Sequence, residues 1–199
     1  MRTEVARLYS DVFTPELFVL YCGLLLIGYE WHGRADRSLP GLGVRLGVLA
    51  LGWAIGLVIY EGVPLLLATV PEWGPDATGS VGLAVGVGVI WLGWRVWAWG
   101  EYVPVFSALL VGVTVPHLLI TPLWDISTHV LYAVVPAGYL LSVDRRFAPL
   151  AIVALGMVVA RPWAGAHTWL QSVAGLLLGV VFVGASLRSD TLRTPDSNH

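Results

Sequence analysis

Lysine is absent from this sequence; all eleven basic residues are arginines, a bias expected of a GC-rich or salt-adapted source. Charged residues of both signs make up only 12% of the chain, against about 25% in soluble domains. Cysteine is nearly missing too. The one present, Cys22, lies in an apolar run and excludes an intramolecular disulfide. A net charge of −2 leaves no basic footprint for a nucleic acid, so no such partner is expected. The opening residues MRTEVARLYSDV carry charges where a secretory signal would carry an apolar core, and no cleavable signal peptide is expected. Short segments of alternating polarity, the mark of a membrane barrel, are not found.

What the chain does have is long, continuous apolar sequence. It is 57% hydrophobic with a mean hydropathy of +0.77. In a bilayer every backbone polar group must be paired internally, which leaves helices once a barrel is excluded. The fold class is therefore all-α, a polytopic transmembrane bundle. Its apolar segments are Leu17–Tyr29, Leu46–Tyr60, Val81–Trp94, Val103–Ile120, Thr128–Val143, Phe147–Ala160 and Thr168–Leu187. That is about seven spans. Six or eight stay open, because 62–70 is also apolar but is interrupted by Pro64 and preceded by Glu61.

Arginine sets the orientation, since cytoplasmic loops are enriched in it. Arg34, Arg37, Arg45, Arg95, Arg145, Arg146, Arg188 and Arg193 fall on alternate connections, and the opposite ones hold Glu72, Asp76 and Asp125. Arg2 and Arg7 dissent, unless the first residues form an amphipathic surface helix. Trp31, Trp73, Trp97, Trp99, Trp124 and Trp163 stand at segment ends, where an indole ring is favoured. Residues 188–199 are polar and read as a disordered cytoplasmic tail. The 23 glycines permit close helix contacts, and none is given a role on spacing alone.

Arg161 is the arginine that breaks the charge pattern. It ends the sixth segment on the expected outer face, with His167 six residues on. His129 opens the fifth segment on that face, after Asp125 and Ser127, and His117 lies near the outer end of the fourth. Ionisable groups at membrane depth are costly and point to function. An arginine fork suits phosphoryl oxygens. One histidine can attack phosphorus while another protonates the leaving oxygen.

The segment ARPWAGAHTWLQSVAGLLLG resembles the third signature of the type 2 phosphatidic acid phosphatase and vanadium haloperoxidase superfamily, S-R-x-x-x-G-x-H-x-x-x-D followed by a small-residue helix. Arg161, Gly165 and His167 match in register, and Ala174, Gly175 and Gly179 continue the helix. Ile126-Ser127-Thr128-His129 echoes the second signature, P-S-G-H. The resemblance covers 114–187, so that 1–113 form separate amino-terminal spans. It implies an integral membrane phosphatase acting on a phosphorylated lipid or isoprenoid at the non-cytoplasmic face. His167 would be the nucleophile and His129 the general acid. Arg161, Ser127 and Gly165 would bind phosphate, with Gln171, Asp125 and His117 supporting. No metal or other cofactor is implied.

The sequence departs from the family at several positions. Gln171 stands for the aspartate that orients the nucleophile, and Ala160 for the serine of the third signature. Ile126 and Thr128 replace the proline and glycine before His129. Thr114 and Thr121 replace the lysine and arginine of the first signature, K-x-x-x-x-x-x-R-P, in TVPHLLITP. An inactive relative that binds a headgroup or a protein partner is the alternative. A metal hydrolase using His117, Asp125, His129 and His167, and a transporter, rank below it. Oligomeric state is left open.

Overall fold

The computed structural model describes residues 1–35, 37–66, 69, 71 and 73–188. Glu72, Arg193 and the expected tail from residue 189 onward lie outside the described residues. Eight α-helices follow one another: α1 (Arg2–Val12), α2 (Pro15–His32), α3 (Leu39–Leu66), α4 (Gly74–Trp97), α5 (Tyr102–Ile120), α6 (Thr128–Val143), α7 (Ala148–Trp163) and α8 (Trp169–Arg188). No strand occurs among the described residues. Each of the seven apolar segments falls on one helix from α2 to α8, the sixth and seventh starting one residue ahead of α7 and α8, at Phe147 and Thr168.

By length and apolarity five helices can cross a membrane: α3, α4, α5, α7 with its preceding turn, and α8. The pair α1 and α2, bent by 51° between them, brings the number to six when taken as one span. Helix α6 is apolar but, at 16 residues, rises only about 24 Å.

The chain forms two compact units, one of Met1–Cys22 with Ile126–His199 and the other of Gly23–Asp125. The division expected at 113/114 falls inside α5. The amino-terminal residues instead join the carboxy-terminal helices, because α1 packs on α7. Tyr9 donates its hydroxyl to the Val153 carbonyl at 2.7 Å, and Ser10 meets the Met157 sulfur at 3.8 Å.

In the first unit α6 is the central helix. Val130 to Pro136 are all buried, as are Tyr139 and Leu140, which is what a helix apolar on every side requires. Helices α7 and α8 pack on α6 and on each other. Gly175 and Gly179 face α6 so closely that a Cβ on Gly175 would stand 2.9 Å from the Ser127 carbonyl, and one on Gly179 2.8 Å from Val134 Cγ1.

In the second unit α3 crosses α4 glycine on glycine. A Cβ on Gly52 would meet the Gly86 carbonyl at 2.5 Å, and one on Gly82 the Gly56 carbonyl at 2.5 Å. Gly56 and Gly86 make the reciprocal contacts. These are two small-xxx-small pairs whose backbones touch, the packing that membranes favour.

Arg45, expected in a loop, is instead buried inside α3 with its guanidinium 5.3 Å from the centre of the Trp99 ring. The helix begins earlier than the apolar run does, because Ser38 accepts the Gly41 N–H at 3.2 Å as an N-cap and Pro40 follows it. Glu30 is buried in the same unit. Its two oxygens accept Trp94 Nε1 at 2.7 Å and the Tyr102 N–H at 2.8 Å. The turn from α4 to α5 passes over that carboxylate at Gly100, whose φ is +152° and whose missing side chain would occupy the place of Glu30.

Candidate functional site

One end of the first unit gathers three chain segments. These are the start of α6, the end of α7 and the start of α8. The opposite end carries the turn from α6 to α7, where Asp144 accepts the Arg146 N–H at 2.8 Å and Arg145 and Arg146 are exposed.

Ser127 precedes α6 in extended conformation, the place of an N-cap, yet its side chain makes no capping bond. Its N–H donates to the Gln171 carbonyl at 3.3 Å and its carbonyl accepts the Leu131 N–H at 3.0 Å. His129 lies half-buried in the first turn of α6, the electropositive end of that helix.

Arg161 is in the last turn of α7. The helix is closed by two bonds beyond it, Gly165 N–H to the Pro162 carbonyl at 3.1 Å and Ala166 N–H to the Arg161 carbonyl at 3.1 Å. This is a Schellman closure, and it needs the left-handed backbone that Gly165 supplies at φ +76°. Gly165 therefore turns the chain sharply between Arg161 and His167.

His167 stands immediately before α8. Thr168 caps that helix in a reciprocal box. Gln171 Oε1 accepts the Thr168 N–H at 2.7 Å and its hydroxyl at 3.1 Å, and Thr168 Oγ1 accepts the Gln171 N–H at 3.3 Å. The expectation that Gln171 orients His167 is corrected here. One turn of helix brings position 171 within reach of either partner, and the cap amide, which would otherwise lack an acceptor, takes its oxygen.

Arg161, at the end of α7, and His167, ahead of α8, both lie near enough to His129 to act electrostatically on its ring. Arg161 Nε and His167 Nδ1 are buried atoms. Ser127 and Ser172 are both 0% exposed, and neither hydroxyl oxygen has a hydrogen-bond partner. The set offers one permanent cation, two imidazoles and two hydroxyls at a helix N-terminus, donors suited to an oxyanion.

His117 lies on α5 in the second unit, fully buried, with Ser80 Oγ 3.2 Å from Nδ1 and Thr121 Oγ1 3.4 Å from Nε2. Thr121 spends its only hydroxyl proton on the His117 carbonyl at 2.8 Å, so it accepts from Nε2–H. Thr114 likewise donates to the Leu110 carbonyl at 2.8 Å, so both threonines in the first-signature positions bond backward along their own helix. Asp125 is exposed in the connection before α6. Among the described residues no three His, Cys, Asp or Glu side chains are grouped to hold a metal ion.

Ser172 was not singled out from sequence. Its signal is its register with Gly175 and Gly179 on one face of α8. Compared with family models, with curated proteins and with solved structures, the chain matches none.

Proposed function

We propose that this protein is an integral membrane phosphatase resembling the type 2 phosphatidic acid phosphatases, acting on a phosphomonoester or diphosphate of a lipid or isoprenoid. The observation that carries the reading is the grouping of His129, Arg161 and His167 at the positive end of α6. In this reading α2 to α8 make seven crossings and the site faces the non-cytoplasmic side, as the arginine distribution favours. A crossing by α6 is short, and its companions α7 and α8 span the remaining depth beside it.

The chemistry proceeds in two balanced steps. Arg161 holds two phosphoryl oxygens and Ser127 a third, while the dipole of α6 offsets their charge. His167 attacks phosphorus, a P–N bond forms, and the P–O bond to the lipid breaks as His129 gives its proton to the leaving oxygen. Water then attacks the phosphohistidine, His129 takes back a proton, and inorganic phosphate leaves with His167 restored.

A second reading, an inactive relative that binds a phosphorylated headgroup, is favoured by one specific observation. Gln171 Oε1 is committed to the cap of α8, and position 171 offers no carboxylate to stabilise an imidazolium.

The deciding experiment is phosphate release by the purified protein in detergent. Phosphatidic acid, phosphatidylglycerol phosphate and an isoprenyl diphosphate are offered in turn. Turnover that falls about a thousandfold or more in His167→Ala is the expected result for a lost nucleophile. Turnover unchanged in that variant removes His167 from the role. No turnover, with anionic-lipid binding that depends on Arg161, establishes the binding reading.

A further inference from the structure

Two hydroxyls shut away from solvent with no hydrogen bond are an energetic oddity, since a buried polar group left unsatisfied keeps its full desolvation penalty. Ser127 and Ser172 are such a pair, both 0% exposed and both unpartnered at Oγ. They belong to facing surfaces of α6 and α8. Ser172, Gly175 and Gly179 recur at helical spacing on one face of α8. Gly175 on that face lies against the Ser127 carbonyl and Val130, and the Gln171 carbonyl, adjoining Ser172, takes the Ser127 N–H.

Resting on the phosphate reading of this site, we infer that Ser172 is a further ligand of the phosphate group, donating its hydroxyl to the same anion as Ser127 and Arg161. The sequence has neutral threonines where the resembled family has two more cations, so oxygens that a cation would otherwise hold need neutral donors. A serine hydroxyl supplies one without adding charge beside Arg161. The ligand chemistry is a tetrahedral phosphate, free or esterified.

The test measures affinity and stability together on the full chain in detergent. Inorganic phosphate and a short-chain phosphatidic acid are titrated separately against thermal unfolding, for wild type, Arg161→Ala, Ser172→Ala and Ser172→Cys. Ser172→Ala is expected to weaken both ligands roughly tenfold. Without ligand its midpoint should be equal to or above that of wild type, because an unsatisfied group has been removed. Ser172→Cys keeps the volume with a poor donor and should show the same loss, so the test survives an alanine variant that does not fold. A lower unliganded midpoint with unchanged affinity makes Ser172 a structural group and overturns the inference. Weakening of the lipid alone also overturns it, placing Ser172 against the glycerol. If wild type binds neither ligand through Arg161, the phosphate reading itself fails. Arg161-dependent binding that Ser172→Ala leaves intact removes only the role of Ser172.

Discussion

The backbone N–H of Ser127 donates to the carbonyl oxygen of Gln171 at 3.3 Å, which pins the residue ahead of α6 to the first turn of α8. The two halves of the candidate site are thus joined through main chain, and whatever holds the first turn of α8 also holds Ser127.

That dependence gives the first prediction. Thr168→Ala and Gln171→Ala each remove one side of the capping box and should each cost about 1 kcal/mol. The double variant should cost clearly less than the sum, because either change alone already breaks the reciprocal pair. Denaturation of all four forms in detergent measures the coupling. Strict additivity would show that the box is not a stabilising unit.

Gly165 should tolerate no side chain despite the open space around it. Nothing lies within 4 Å of a Cβ placed there, but φ is +76°. Gly165→Ala is expected to lose about 1–2 kcal/mol from the backbone alone, and Gly165→Asn less, since asparagine enters the left-handed region more readily. Equal losses for the two would locate the cost in packing instead.

Single cysteines in a Cys22→Ala background test the sidedness of the first unit. Asp144 lies in the turn between α6 and α7, and Ala166 in the exposed turn between α7 and α8. Asp144→Cys should label with an impermeant thiol reagent from the cytoplasmic side and Ala166→Cys from the other. Ala166 is preferred to Gly165 because it avoids the strained backbone. Labelling of both from one side would end the proposed seven crossings.

Glu30 and Gly100 form a lock whose two parts fail differently. Gly100→Ala drives a methyl group into the Glu30 carboxylate and should destabilise far more than Gly28→Ala, where nothing lies within 4 Å. Glu30→Gln keeps the shape but turns an amide NH2 toward one of two donors, Trp94 Nε1 or the Tyr102 N–H. Its expected cost is about 1–3 kcal/mol for the donor left unsatisfied, read as a lower unfolding midpoint. A midpoint equal to wild type would show that one oxygen suffices.

The sequence made some of this legible and hid the rest for physical reasons. Continuous apolar runs mark helices directly, because a bilayer leaves the backbone no other open-chain solution. The ends were harder. Arg45 looks like a loop residue because the apolar run starts at Leu46, whereas the cap at Ser38 starts the helix two turns sooner. His129, Arg161 and His167 are legible as candidates because each sits at a helix end beside a turn, where local spacing places it. The hydroxyl beside His117 is not legible locally, because Ser80 is 37 residues away. Gln171 was misread for a subtler reason. The spacing allows both a cap and a histidine partner, and in the folded chain Thr168 takes its oxygen.

The glycines at the crossing of α3 and α4 also restrict how this chain can change over time. At most packed positions a larger residue on one helix is accommodated by a smaller one opposite. Here Gly52 already faces Gly86 and Gly56 already faces Gly82, and the amino-acid alphabet holds nothing smaller to give way. A lesion at any of the four has no suppressor at its opposite number, so a genetic screen for restored assembly should return reversion at the original codon rather than compensation across the interface.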